Sequence, residues 1–430
     1  MTNSGTAGMG VVPAIRGILN QNKYTRSLVY IWNTDDVAQH RLLFVCTSVA
    51  FMNMVFLCYH PQGLFTTTGM LCTLWAAAVG CFYCMYITEL PTAVGTGQYS
   101  AFGRARNNTG VQSEPSLARL ALFLLLGFSP LLYFEGSNAV NRFRFQQFGL
   151  GLLYDRFFLE VDTQLLGRFF PRGQVSLFLD SDPVIGVTSF LGRCLTEVLQ
   201  IAYCSYYFWG NALLLYLAYL YFHQGKQTHV PHVPGQPPLT QHQQWRRLIL
   251  LLSAWVSTYM LNFLLNLLFP AVSPRIFIAD GYKNPVRGVL FADYLRSATA
   301  TAAANSFSAF PSGHCGLSWL AVTMARAAGF PRYRVVTLVA AVTITVATLA
   351  LRYHYVVDAI AAIVLYMFGV FVGFLDSPEL FHLAVMQSSA VPTDASSSGT
   401  YCASSPDTLS DSEGGVEVRV VTAADDLSDV

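Results

Sequence analysis

The sequence predicts an all-α protein, a polytopic membrane helix bundle of about eight spans. Three observations predict it. Of 430 residues, 53% are hydrophobic and only 11% are charged, where a soluble domain carries about 25% charged residues. Apolar runs approaching the roughly 20 residues that cross a bilayer recur at 42–59, 66–88, 117–134, 194–222, 248–269, 312–329, 335–351 and 357–375. The stretches between them turn polar, basic or proline-rich, as connecting segments do.

The runs differ in quality. The third is short and carries Arg119, the fourth is long enough to tilt or to begin outside the bilayer, and the sixth is weakly apolar and carries Arg326. Residues 1–41 form a polar, basic segment, expected to be cytosolic, and 42–140 hold the first three spans. Residues 141–172 mix Arg with Phe and Leu, the composition of an amphipathic helix lying in the interface. Residues 223–244 are rich in Pro, Gln and His and read as a loop. The tail from 384 is rich in Ser, and 388–430 hold eight acidic residues against one Arg. With so little apolar surface to bury, it reads as disordered. That leaves 141–383 as the domain in which chemistry is expected.

The net charge of +1 gives no basic field for nucleic acid. Cys46, Cys58, Cys72, Cys81, Cys84, Cys194 and Cys204 lie in apolar runs and read as small apolar filler. Cys81 and Cys84 form a single CxxC without a partner pair, so zinc is not expected. No metal or organic cofactor is expected, and no signal peptide is visible. Short basic loops orient membrane proteins. Arg246 and Arg247 precede the fifth span, and Arg326, Arg332 and Arg334 cluster after the sixth; with eight spans both loops and both termini fall on one side, expected to be cytosolic. The sequon at Asn107 falls on that side and is expected to be unused.

The same parity brings three segments to the opposite, non-cytosolic face: FPAVSPR (269–275), FPSGH (310–314) and LRYHYVVD (351–358). In the second, Pro311 suits the first turn of a helix, and Ser312 and Gly313 leave open amides at a helix N-terminus, an anion site. His314 at its rim can give a proton to a departing alkoxide. In the third, His354 and Asp358 are four residues apart, a spacing that shares a face on a helix. The carboxylate then fixes one ring nitrogen and leaves the other as nucleophile or base. Arg352, and Arg275 behind two prolines, supply cations suited to phosphate oxygens. Lys283, Arg287 and Arg296 add positive charge to the same loop. Together these residues suit phosphoryl transfer, whose charge is met by cations and N–H donors.

These segments resemble the type 2 phosphatidic acid phosphatase superfamily, whose motifs are a basic segment with Arg and Pro, then PSGH, then a segment ending in His and, four residues on, Asp. The resemblance implies that His354 is a nucleophile forming a phosphohistidine, that His314 protonates the leaving group and that Asp358 orients His354. The chain departs from the pattern where the third motif places Ser-Arg, which here is Ala347-Thr348, and the first motif lacks its usual Lys. In both departures it looks like the branch that includes inositol phosphorylceramide synthases; sphingomyelin synthases likewise keep a His-Tyr-x-x-Asp segment without Ser-Arg. The stretch 153–167 is similar to an Asp-bearing segment of that branch, with Asp155 and Asp162 read as structural. The resemblance implies a phospholipid or sphingolipid substrate in the bilayer. It leans toward transfer of a phospho-headgroup such as phosphoinositol to ceramide, with hydrolysis of a phosphatidic acid-type lipid as the alternative. The Golgi, the endoplasmic reticulum and the plasma membrane all suit such a site.

Two other classes compete. A catalytically silent lipid-binding scaffold would have no need of the full His314, His354 and Asp358 set, and a transporter would show internal repeats or paired broken helices, which are not seen. Among the remaining polar residues, His223, His229, His232 and His242 read as loop. Glu197, Gln200, Asn262 and Asn266 read as helix-to-helix bonding groups, and the acidic serine run at 409–413 reads as solvated chain.

Overall fold

The computed structural model describes residues 37–59, 67–89, 116–223, 240–302 and 307–374. The sequon, His229, His232, the side chain of His242 and the acidic tail lie outside the described residues. The longer helices are α1 (Val37–Tyr59), α2 (Thr67–Glu89), α3 (Leu117–Phe148), α4 (Asp155–Leu166), α5 (Val175–Ser181), α6 (Phe190–His223), α7 (Gln241–Leu268), α8 (Ala292–Ala302), α9 (Gly313–Ala327), α10 (Pro331–Ala350) and α11 (Val356–Phe374). A helix stands at each of the eight apolar runs. Six of them, α1, α2, α3, α7, α10 and α11, are long and apolar enough to cross a membrane. The 15 residues of α9 rise only about 22 Å, against a hydrocarbon core of about 30 Å. They are buried almost throughout, so α9 takes part in the bundle as an interior helix.

The helix starts follow from local chemistry. Ser116 caps α3 by accepting the Arg119 amide. Thr240 and Gln243 form a reciprocal capping box at α7. Pro331 opens α10, where its missing N–H costs nothing. The hub is α7. It packs against α1, α3, α6, α9 and α11, and 83% of its apolar stretch is buried against 28–39% for the other five. Helices exposed to lipid on most of their surface thus surround one that is not.

Side-chain bonds tie the two ends of the bundle and show the helices alternating in direction. At one end Gln39 of α1 bonds Tyr86 of α2, Trp245 of α7 donates to Tyr86, and Arg247 of α7 donates to the Ala327 carbonyl of α9. At the other end Asn141 and Arg144 of α3 donate to the carbonyls of Asn266 and Leu267 at the end of α7.

The interfacial helix expected over 141–172 is not a single element. Residues 141–148 prolong α3 to 32 residues, and the chain then breaks at Gly149, whose φ is +57°. After α4 it reverses at Gly173, with φ +70°, where a Cβ would stand 2.0 Å from the Asp162 carbonyl oxygen. Only glycine fits there. The reversal sets α4 against the end of the bundle, next to α11.

The contact of α6 with α7 depends on Gly210, where a Cβ would stand 2.3 Å from the fully buried indole of Trp255. Gly210→Val should cost about 1–3 kcal/mol through overpacking, read as a lower melting midpoint in detergent; an unchanged midpoint would contradict this packing.

Candidate active site

Three breaks in the bundle meet at one end: the segment after α7, the segment leading into α9, and the turn between α10 and α11. Backbone bonds join them. Ala271 pairs with Ser308 in a short parallel bridge, made by the Ala271 amide to the Phe307 carbonyl and the Ala309 amide to the Ala271 carbonyl. The Arg275 amide donates to the Arg352 carbonyl, and the Ser312 amide to the Asp358 carbonyl. The segments carrying Arg275, PSGH and His354 are thereby held together.

His354 is buried. Its Nδ1 lies 2.7 Å from the Ala309 carbonyl oxygen and 3.3 Å from Asp358 Oδ2. Both neighbours accept, so Nδ1 carries a proton and Nε2 is the ring nitrogen left without either partner. The His–Asp geometry differs from the shared helix face expected from the spacing. His354 precedes α11, which begins at Val356. Asp358 sits three residues into the first turn and accepts the Tyr355 amide at 2.8 Å, half of a capping box. The cap brings the carboxylate back to the imidazole.

The His314 ring centroid is 5.5 Å from that of His354. His314 leaves the start of α9, where Ser312 accepts the Cys315 amide and the Ser312 carbonyl accepts that of Gly316. The Gly313 and His314 amides lie at the helix's open N-terminus. The His314 ring stacks on Tyr203 at 4.2 Å and tilts against Tyr206 at 3.9 Å, and Tyr203 stacks in turn on Tyr353. Arg275 and Arg296 hold their guanidinium carbons 5.1 and 5.5 Å from the Tyr353 ring centre. A cavity of ≈ 290 Å³ joins Arg275, Ser273, Ser308, His314 and His354.

Arg352 is placed differently from the expectation that it binds phosphate. Its guanidinium donates to Asp180 Oδ1 at 2.7 Å and to the Asn284 carbonyl at 2.9 Å, and lies over the Tyr282 ring. It borders the adjoining open cavity with Arg275 and Arg296 and does not line the one that holds the histidines. Its φ of +69° is unusual for a residue with a side chain, and the Asp180 pair holds the turn in that shape. Burial pulls the Arg352 guanidinium below its ordinary value, and Asp180 opposes that.

The acidic residues read as structural are anchors. Asp162 accepts the amides of Val356 and Val357 at 2.8 Å each, together with the Gln174 side chain. Asp155 accepts the Val272 amide and the Tyr355 hydroxyl. Burial raises both carboxyls, that of Asp155 to about 7. Glu197 accepts four successive amides, Val289 to Ala292, at the start of α8. Gln200 accepts the Tyr353 hydroxyl. Asn262 packs on Gly313, and among the described residues its side-chain oxygen has no partner. Tyr203, Tyr206 and Asp180 lie outside the three quoted segments, and Tyr353 lies inside the third without a role assigned to it; the aromatic run 203–209 within the fourth span is the one visible hint.

Residues 240–372 match the model of the PAP2 superfamily. Over 223 residues the chain is 38% identical to a PA-phosphatase related-family protein of Dictyostelium discoideum, a match taking in 51% of this chain and 39% of that relative. The chain therefore spans about two fifths of the relative's length in this match. No solved structure matches. The superfamily expected from PSGH and HYVVD is the one found.

The raised Asp155 carboxyl makes stability depend on pH. A folded value above the ordinary 3.8 means that stability from the neutral acid is complete below 3.8 and is lost as pH rises toward about 7. The melting midpoint should fall across that window, and Asp155→Asn, which keeps an acceptor for Tyr355, should flatten the fall. Equal slopes in the two proteins would contradict it.

Proposed function

We propose that this membrane protein, whose residues 240–372 match the PAP2 superfamily, is a lipid phosphatase or phosphotransferase that works through a phosphohistidine. The observation that carries the reading is the setting of His354: a carbonyl and a carboxylate both accept at Nδ1, which leaves Nε2 for attack, and the ring lines a cavity shared with Arg275 and with His314 at a helix N-terminus.

In the first step Nε2 attacks phosphorus, the P–O bond to the lipid breaks, and His314 in its protonated form gives its proton to the departing alkoxide. In the second, the now neutral His314 takes a proton from an incoming hydroxyl, whose oxygen attacks phosphorus as the P–N bond breaks. Arg275 and the Gly313 and His314 amides meet the oxygens' charge, with Arg296 adding positive charge from the adjoining cavity; Ser312 holds the helix start in place. Arg352 acts through the loop it pins.

The acceptor decides between phosphatase and transferase. Water gives phosphate release from a phosphatidic acid-type lipid; a lipid hydroxyl such as that of ceramide gives headgroup transfer. Ala347-Thr348 in place of Ser-Arg supports the transferase reading, because it is shared with the branch the chain resembles. The basic residues Arg246, Arg326, Arg332 and Arg334 at the far end of the bundle support a non-cytosolic site.

The test is turnover by purified protein of dioleoyl phosphatidic acid and of phosphatidylinositol, with and without ceramide. Wild type should release phosphate or label ceramide, and His354→Ala should do neither. His314→Gln should slow the reaction by about 10²–10⁴. Binding of both lipids with no turnover by wild type would leave a silent lipid binder instead.

A further inference from the structure

A second hollow lies beside the histidine cavity. Helices α3 and α6 each pack on α7 but hardly on one another, and a groove runs between them over Leu252 and Phe263 of α7. Phe134 and Tyr207 line both this groove and the histidine cavity, so the two adjoin. Tyr206, which rests against the His314 ring, lines the groove as well.

The groove is apolar and open sideways. Its outer edges are Leu124, Phe128, Leu131 and Leu215, each 37–56% exposed on a surface that faces lipid. The one amide in its wall, Asn211, is engaged by Trp255 and by the Tyr207 carbonyl and offers nothing to a polar ligand. At the far end Arg119 of α3 donates to the Tyr221 hydroxyl of α6 and ties the two helices together. Two residues of α3 mark its wall. Gly127 lines it with no side chain, and a Cβ built there meets nothing within 4 Å. Pro130, buried within the helix, has no N–H to give to the helix ladder.

We infer that this groove holds one hydrocarbon chain of the lipid whose phosphate occupies the histidine cavity, so that α3, which lies outside the segment matching the superfamily, selects the substrate by its chain. The inference rests on the lipid-phosphate reading of that cavity. Length supports the occupant. From residue 123 to residue 134 a helix rises about 17 Å, close to the roughly 15 Å depth of one leaflet's hydrocarbon. The groove starts at the end of the bundle where a headgroup would sit and closes where a chain from that leaflet would end.

A phosphatidic acid carrying a diazirine midway along one acyl chain tests this directly. On irradiation it should label peptides of α3 and α6, and Gly127→Leu, which fills the space, should cut that labelling at least tenfold. Gly80→Leu on α2, where an added Cβ also meets open space, should label as wild type does. In turnover, Gly127→Leu should lose at least tenfold on dioleoyl phosphatidic acid and keep the wild-type rate on dihexanoyl phosphatidic acid, which also shows that it folds. If it does not fold, Leu215→Trp narrows the same groove from the other wall and should show the same split. Labelling elsewhere, labelling unchanged by both variants, or equal loss on both lipids would overturn the inference. Labelling in the groove without any turnover by wild type would leave the groove standing and overturn the reaction instead.

Discussion

The site depends on one requirement: backbone amides buried at the end of the bundle must find acceptors, and four carboxylates supply them. An unpaired buried amide costs about 1–3 kcal/mol. The turn from Arg352 to Asp358 and the loop from Val272 to Ala292 present many such amides where regular helix stops. Asp155, Asp162, Asp358 and Glu197 accept eight of them, some carboxylate oxygens accepting two or adding a side-chain donor. Asp180 does the same for Lys283 and Asn284 while also holding Arg352. The loops are therefore fixed by buried acids, of which Asp358 alone also touches His354.

That framework explains why the histidines are presented as they are. His354 follows a turn with a left-handed residue and precedes a capped helix, so its ring position is set from both sides and its Nδ1 from two more. His314 is set by the start of α9 and by a stack of tyrosines that joins it to Tyr353 and, beyond that, to the guanidinium groups of Arg275 and Arg296. Positive charge is thus gathered around Tyr353, on residues separated by many positions in sequence, while the arginine nearest to His354 in sequence is buried against Asp180.

The helices were legible because lipid imposes length and composition on them, and all eight runs are helical. The ends were less so. The third run, 117–134, is shorter than its helix: α3 continues to Phe148, where the α7 carbonyls of Asn266 and Leu267 take up Asn141 and Arg144. PSGH and HYVVD could be read because both the residue types and the spacing are tied to a short stretch of chain. Asp180, Tyr203 and Tyr206 could not, since their roles arise from packing between elements distant in sequence. The pairing of Arg352 with Asp180 was not legible, because proximity in sequence says nothing about which way a side chain leaves a turn with positive φ.

The most direct measurement is of the covalent state of His354 during turnover. Protein mixed with phosphate-labelled phosphatidic acid, quenched in alkali within one turnover and digested, should yield a peptide with acid-labile phosphate on His354, absent from His354→Ala. Turnover that proceeds with phosphate on a different residue, or on none at any time point, would contradict the account.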